Sequence, residues 1–287
     1  PNYSEVDGPL FFFDREKGSE SPSAELAASI KAFENNLPIK GQITQSARCA
    51  FPARRRFVAE YLNLKFEDHC PQFEEWKAKL NPEKLSIVLA APYMGSPSSM
   101  FGHVFLKIHT KNSKNENLDW ALGFEAVTQS SSEGVMYALR GLAGVFPGVF
   151  TLLPYHLKIN QYSNVDNRDL WEFDLAFSYE QLHLMLEHLW ELQNTYFDYF
   201  FFDENCAYHL LGLLEVANPL LRLRDEFRFK AIPIDVLLEV LRQNNKGFEG
   251  KRRPAILTQL QNARDLMTES EKELFRVWHL RINEVPE

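Results

Sequence analysis

The segment Asp203-Glu204-Asn205-Cys206-Ala207-Tyr208 stands directly before a Leu-rich stretch with helical periodicity, carrying Leu210, Leu211, Leu213 and Leu214. With Asp203 as N-cap, Cys206 falls at the third helical position, where unpaired backbone N–H groups and the helix dipole favour a thiolate. A nucleophile belongs there. The competing reading is an inert core thiol, because Cys is among the most buried residue types. A base decides between the two, and His103 is the candidate. It follows Gly102 and opens a strand in which Val104, Leu106 and Ile108 alternate with His103, Phe105, Lys107 and His109. An imidazole takes a thiol proton near neutral pH, although a lone strand His is more often structural.

A second alternating stretch, Leu118 to Val127, follows the polar turn Thr110 to Asn117. Matching apolar faces pairs Val104 with Phe124, Leu106 with Leu122 and Ile108 with Trp120, which sets Glu125 opposite His103 as an orienter of the imidazole. The same register sets Asp119 across from His109. His109 lies six residues from His103, about 20 Å along the strand, so one pair at most serves Cys206.

The run Arg54-Arg55-Arg56 could grip a phosphate, but short basic runs are more often solvated faces. His156, His183, His188 and His209 have no HExxH or CxxC companion, so no metal site is expected and no cofactor is called for. GxSxG, P-loop and strand-to-helix GxGxxG signatures are missing as well.

The elements that must hold these groups follow from pattern. Helical periodicity runs over Ser23 to Phe33, Phe57 to Leu62 and Phe73 to Leu80, and strands are expected at Leu85 to Ala91 and near Leu170 to Leu175. Ser178 and Gln181 form a capping box for a long amphipathic helix to about Tyr196. Further helices are expected near Ile234 to Gln243 and Thr268 to Leu280. The 287 residues are 45% hydrophobic and 24% charged, the balance of a globular chain with ample core. A formal charge of −8 lacks the basic excess that nucleic acid binding needs. The longest apolar run, Leu142 to Leu153, is broken by Gly and Pro and too short to span a bilayer. The 23 Phe and 10 Tyr exceed what the core obviously requires, a hint of an apolar groove. A chain that begins at Pro1 reads as processed or trimmed, so the lack of a leader decides nothing. Cys49 and Cys70 lie close in sequence while Cys206 stands apart, which is consistent with one disulfide and one free thiol, or with buried free thiols throughout.

Taken together, Gly102-His103 on a strand ahead of Asn205-Cys206 on a helix resembles the circularly permuted papain-like enzymes of the NlpC/P60 and lecithin:retinol acyltransferase superfamily. More closely, Cys49-Ala-Phe-Pro-Ala-Arg54, Ser99-Met-Phe-Gly-His103, Phe146-Pro-Gly148 with Pro154-Tyr155, Arg168-Asp-Leu-Trp171 and Phe201-Phe-Asp-Glu-Asn-Cys206-Ala-Tyr208 resemble the Lnb-type N-terminal periplasmic domain. The resemblance implies an α+β, permuted papain-like core of antiparallel sheet packed on helices. It divides the chain into an N-terminal helical appendage, 1–80, and a thiol catalytic domain with C-terminal helices, 81–287. It also implies a periplasmic location, Cys206 as nucleophile and His103 as base, while Glu125 as orienter rests on the register. Arg54, Tyr155, Asn205 and Tyr208, members of these motifs, become the substrate-binding candidates. A periplasmic setting turns Cys49 and Cys70 into an expected disulfide.

The function so implied is an acyltransferase or lipid acyl hydrolase working on phospholipid or lipoprotein, with a membrane surface as candidate partner. The segment Gly141 to Phe150 and the aromatics Tyr196 to Phe202 would line an acyl groove. A cell-wall amidase of NlpC/P60 type would use the same dyad in an open polar cleft, and a non-catalytic binding module would hold Cys206 and His103 apart.

Overall fold

The computed structural model describes residues 3–41, 43–66, 68–94, 100–111, 113, 115–127, 144–227, 229–244 and 249–282. Ser99 of the motif ending at His103, and Gly141 to Ala143 at the head of the expected groove segment, lie outside them.

The N-terminal helices are α1 (Pro22–Glu34), α2 (Ala47–Ala50), α3 (Pro52–Leu62) and α4 (Pro71–Leu80), with a two-strand ribbon, β1 (Pro38–Ile39) and β2 (Gln45–Ser46), between the first two. Three of the four start on proline, whose fixed φ suits the first helical position and whose missing N–H costs nothing there. Asn63 and Asn81 end α3 and α4 in the left-handed conformation that Asn tolerates. Cys49 and Cys70 are joined by a disulfide with their Cα atoms 5.3 Å apart.

The rest of the chain is built on a seven-stranded sheet: β3 (Pro82–Ala90), β4 (His103–Thr110), β5 (Trp120–Ala126), β6 (Phe146–Pro154), β7 (Leu170–Leu175), β8 (Phe197–Tyr199) and β9 (Lys251–Arg253). Its order is β8-β6-β5-β4-β3-β7-β9, with every pairing antiparallel. The fold is therefore α+β. Between β4 and β5 the register is Leu106↔Leu122, Lys107↔Ala121 and Ile108↔Trp120, the pairing that the apolar faces demand.

One sheet face carries Val104, Leu106, Ile108, Leu122 and Phe124 into the main core beneath α6 (Tyr179–Glu191), α7 (Cys206–Ala217) and α8 (Pro233–Gln243). The capping box of Ser178 and Gln181 opens α6, and Leu182, Met185, Leu186 and Leu189 give it an apolar stripe at helical spacing. Each such fully buried side chain contributes about 1.5–3 kcal/mol. The other face buries Val88, Ala90, Phe105 and Ala121 against Tyr155, Tyr162 and Leu170. Tyr155 opens α5 (Tyr155–Ile159), and Tyr162 sits in the π-helical turn Asn160–Val165 that continues it. Helices α9 (Ile256–Asp265) and α10 (Glu269–Ile282) follow β9.

The segment from Phe146, expected as a Gly- and Phe-rich stretch without assigned structure, is a central strand. Pro147 and Gly148 disguise it, yet Gly148 is required, because a Cβ there would meet the Phe124 ring at 2.4 Å. The N-terminal helices dock on α6. Arg56 pairs with Glu187, the Arg54 N–H donates to Glu191 Oε1 (2.7 Å), and Trp190 Nε1 donates to Cys49 O (2.9 Å).

Candidate active site

Cys206 is the first residue of α7 and is 5% exposed. The N-cap is Asn205 rather than Asp203, two residues later than the sequence pattern suggests. Its Oδ1 accepts from the N–H groups of Ala207 (2.9 Å) and Tyr208 (3.4 Å), while its Nδ2 donates to Phe201 O (3.1 Å) and Ala231 O (2.8 Å). Four internal bonds lock the loop before the helix, so Asn205, a substrate-binding candidate, has both amide groups engaged within the protein. The Cys206 N–H donates to Tyr199 Oη at 3.3 Å.

The Cys206 sulfur is met by three donors: the backbone N–H of Val104, the backbone N–H of Ala207 and the Tyr199 hydroxyl. Val104 lies beyond the β4–β5 ladder, which ends at Leu106↔Leu122, whereas β5 stays paired with β6 as far as Ala126↔Gly148. The sulfur therefore meets β4 where β5 no longer pairs with it. Burial outweighs the donors and pushes the thiol up to about 11.

Gly102, at φ +89°, turns the chain into β4, a conformation that strains any residue with a Cβ. It delivers His103 beside Tyr162 (ring centroids 5.8 Å apart) and Phe105 (6.3 Å). Its Nε2 is buried and has no hydrogen-bond partner. Burial, with the charges of Lys158 and Arg168, pushes the imidazole down to about 3, so at neutral pH it is an uncharged base.

Arg168, from one of the motifs quoted above, surrounds this pair together with Lys158 and Tyr162, which nothing in the sequence singles out. Arg168, 2% exposed, donates from Nε to Ala91 O (2.6 Å) and from Nη2 to Ala90 O (3.2 Å), and lies over the Tyr162 ring at 4.8 Å. Its Nη1 is buried without a hydrogen-bond partner, 3.9 Å from Asp166 Oδ2. A thiolate at Cys206 would act on both Arg168 and Tyr162. Lys158, 4% exposed, is held by Glu125 and lies 5.5 Å from the Tyr162 ring centroid. Glu125 thus meets the site through Lys158, and its charge also reaches Cys206.

The other candidates lie apart from the sulfur. Arg54 is committed to the N-terminal helices: it pairs with Glu25, donates to Phe11 O (3.1 Å) and sits over the rings of Phe11 and Phe51 at 4.6 Å. Arg55 and Arg56, read as solvated, pair with Asp68 and Glu187. Tyr208 donates its hydroxyl to Glu5 Oε1 (2.8 Å). Tyr155, 1% exposed, packs under the sheet with Lys107 Nζ 4.4 Å from its ring centroid.

At the far end of β4 a second polar network fills the same face. Asp119 Oδ2 lies 3.3 Å from His109 Nδ1, the pairing the register implies, and Ser86 Oγ lies 2.7 Å from His109 Nε2. Ser86 donates its proton to Asp174 (2.7 Å) and is fully buried, so it is no nucleophile. His109, Glu172 and Asp174 bring ligand atoms within 4.8 Å of one another, but Lys107 and Lys84 already occupy the two carboxylates, at 3.0 Å each.

No helix among the described residues is long and apolar enough to cross a membrane. The chain matches the Lnb N-terminal periplasmic domain over residues 72–243, and a domain of unknown function (DUF7843) over residues 1–61. No curated protein and no solved structure matches. The periplasmic match takes in α4. It spans more than half of the chain and includes both His103 and Cys206, and the protein belongs to the Lnb N-terminal periplasmic domain family.

Proposed function

We propose that this protein is a periplasmic thiol-dependent acyltransferase or lipid acyl hydrolase on a permuted papain-like core, with Cys206 as nucleophile and His103 as general base. The observation that carries the reading is the placement of the Cys206 sulfur at a helix N-terminus against the N–H of Val104, the residue next to a histidine whose Nε2 has no partner.

In the first half-reaction the sulfur attacks the carbonyl carbon of an ester-linked acyl chain while its proton passes to His103 Nε2. The carbonyl oxygen becomes an oxyanion, for which the unpartnered Nη1 of Arg168 and the backbone N–H groups at the sulfur are donors. Collapse breaks the carbon–oxygen bond, the imidazolium returns its proton to the leaving alkoxide, and a thioester remains on Cys206. An amine or water then attacks the thioester, His103 taking its proton and handing it to the departing sulfur. Both groups start neutral, as a base-assisted attack requires, in place of a standing ion pair. The buried thiol and aromatic surroundings favour an acyl substrate over the peptide of a cell-wall amidase, which needs an open polar cleft.

Incubation with isotopically labelled phospholipid, followed by mass analysis of the Cys206 peptide, tests the reading. The expected product is a hydroxylamine-labile acyl adduct on Cys206, lost in Cys206→Ser and strongly reduced in His103→Asn. An adduct that survives in Cys206→Ser, or none with any diacyl phospholipid, overturns it.

A further inference from the structure

A cavity of about 1000 Å³ opens between the irregular N-terminal segment, Tyr3 to Val6, and α7, at the upper end of the range for small-molecule sites. Its walls are mixed, with Phe11, Phe150, Leu192, Phe197, Leu213 and Phe227 supplying apolar surface beside a polar lining. Its charged lining is unbalanced: Glu5, Asp203, Glu204, Glu215 and Asp225 face it against Arg222 and Arg224. Arg224 is already committed to Glu5 and Glu215, at 2.7 Å each. Arg222 donates to Pro219 O at 3.1 Å.

His209, 4% exposed, lines the same cavity with an Nε2 that has no hydrogen-bond partner. Its ring is wedged between Phe124 (centroids 4.2 Å) and Phe197 (4.5 Å). Burial and the charge of Arg224 push His209 down to about 3, so at neutral pH it is uncharged and, when protonated at Nδ1, offers Nε2 as an acceptor. A buried acceptor without a donor, beside a surplus of carboxylates and an aromatic wall, describes a complementary ligand.

We propose that this cavity binds an amphiphile with an aliphatic chain and a primary amine head, the chain lying among the phenylalanines and the ammonium donating to His209 and the carboxylates around Glu204. The crowding of negative charge supports the choice of head. Burial, with Glu5 and Asp7 from the N-terminal segment, Asp203 from its own loop and Asp198 from β8, pushes Glu204 up to about 7. A bound cation relieves that repulsion. The cavity joins the two family units, since Tyr3 to Val6 and Phe11 come from residues 1–61 and the remaining wall from residues 72–243. Glu5 fastens the closure through Tyr208 Oη (2.8 Å) and Arg224. This site stands whether or not Cys206 is a nucleophile.

Calorimetric titration of the full chain with decylamine, decanoate and butylamine, each below its aggregation limit, tests the proposal. Saturable one-to-one binding of decylamine is expected, at least tenfold tighter than that of decanoate or butylamine. Glu204→Gln should weaken it about tenfold. Val216→Trp, which adds bulk on a half-buried lining position of α7, should abolish it while thermal unfolding stays cooperative. Equal affinity for decanoate, undiminished binding in the Trp variant, or no saturable decylamine binding overturns the proposal.

Discussion

The backbone N–H of Val104 points at the sulfur of Cys206, which ties the first residue of α7 to the second residue of β4. The contact brings the helix N-terminus to the strand end that carries His103, without a bond between the sulfur and His103 Nε2. On the proposed mechanism, deprotonation would be coupled to substrate arrival, because burial keeps the resting thiol protonated.

A first consequence is low reactivity of the resting thiol. Cys49 and Cys70 are joined, so Cys206 is the thiol that alkylates. With its pKa pushed up to about 11, its thiolate population at pH 8 is about 100-fold below that of an ordinary thiol at 9.0. Native alkylation by iodoacetamide at pH 8 should be at least about 10-fold slower than in the urea-unfolded chain and should climb as pH approaches 11. Equal rates in the two states would show a preformed thiolate. The linkage has one sign: a raised pKa contributes stability below the ordinary value of 9.0, lost as pH rises through 11.

A second consequence is sensitivity to acid. His103 and His209 are both pushed from 6.5 down to about 3, so unfolding takes up a proton at each in the window between those values. Their contribution is fully present above 6.5 and is lost as pH falls through about 3, at about 1.4 kcal/mol per pH unit for each histidine. Urea unfolding at pH 7, 6, 5 and 4 should show His103→Asn with a slope shallower by about one proton than the parent chain. An unchanged slope would mean that His103 protonates without unfolding.

Arg54 separates a structural role from a substrate-binding one. Its guanidinium bridges Glu25, Phe11 and Phe51, and its backbone N–H anchors Glu191 of α6. Arg54→Ala leaves Glu25 without its partner and should cost about 3–5 kcal/mol of stability. The expected result is a lower urea midpoint with an unchanged KM for lipid in the folded protein. A raised KM at unchanged stability would restore the substrate-binding role.

What the sequence reveals and what it conceals differ by range. The elements β3, β4 and α6 are legible because their signals are local: Leu85 to Ala91 is a short apolar run, His103 to His109 alternates, and Ser178 with Gln181 closes a box. The β4–β5 register is legible because sliding it by one residue would turn Leu106 and Leu122 out of the core. The sequence pattern sets the N-cap two residues early because Asp203 and Asn205 are both good caps, and the choice is made by Phe201 O and by Ala231 O, 26 residues away, which accept from the Asn205 amide. Strand β6 was hidden by Gly148, a residue selected by a ring on the neighbouring strand. Lys158 is hidden, and Arg168 is legible only as a motif member, because neither periodicity nor spacing around the π-helical turn says which sheet end they meet.

Arg168 is where that hidden part of the site can be tested. Two of its donors are fixed on Ala91 O and Ala90 O at the end of β3, which aims the guanidinium and leaves Nη1 without a hydrogen bond, 3.9 Å from Asp166 Oδ2. Lysine in its place keeps the cation but loses the planar fork, so the charge is no longer held in register. If Nη1 stabilises the oxyanion, Arg168→Lys should slow thioester formation about 10²–10³-fold, the cost of one such donor, with a smaller effect on lipid binding. Single-turnover measurement on the folded variant isolates the step, because only the rate of adduct formation on Cys206 is read. A fall in lipid affinity with the single-turnover rate preserved would instead make Arg168 a ground-state anchor for the anionic head of the lipid. Loss of cooperative unfolding together with both readouts would confine its role to bracing β3 against Tyr162, and the oxyanion role would be wrong.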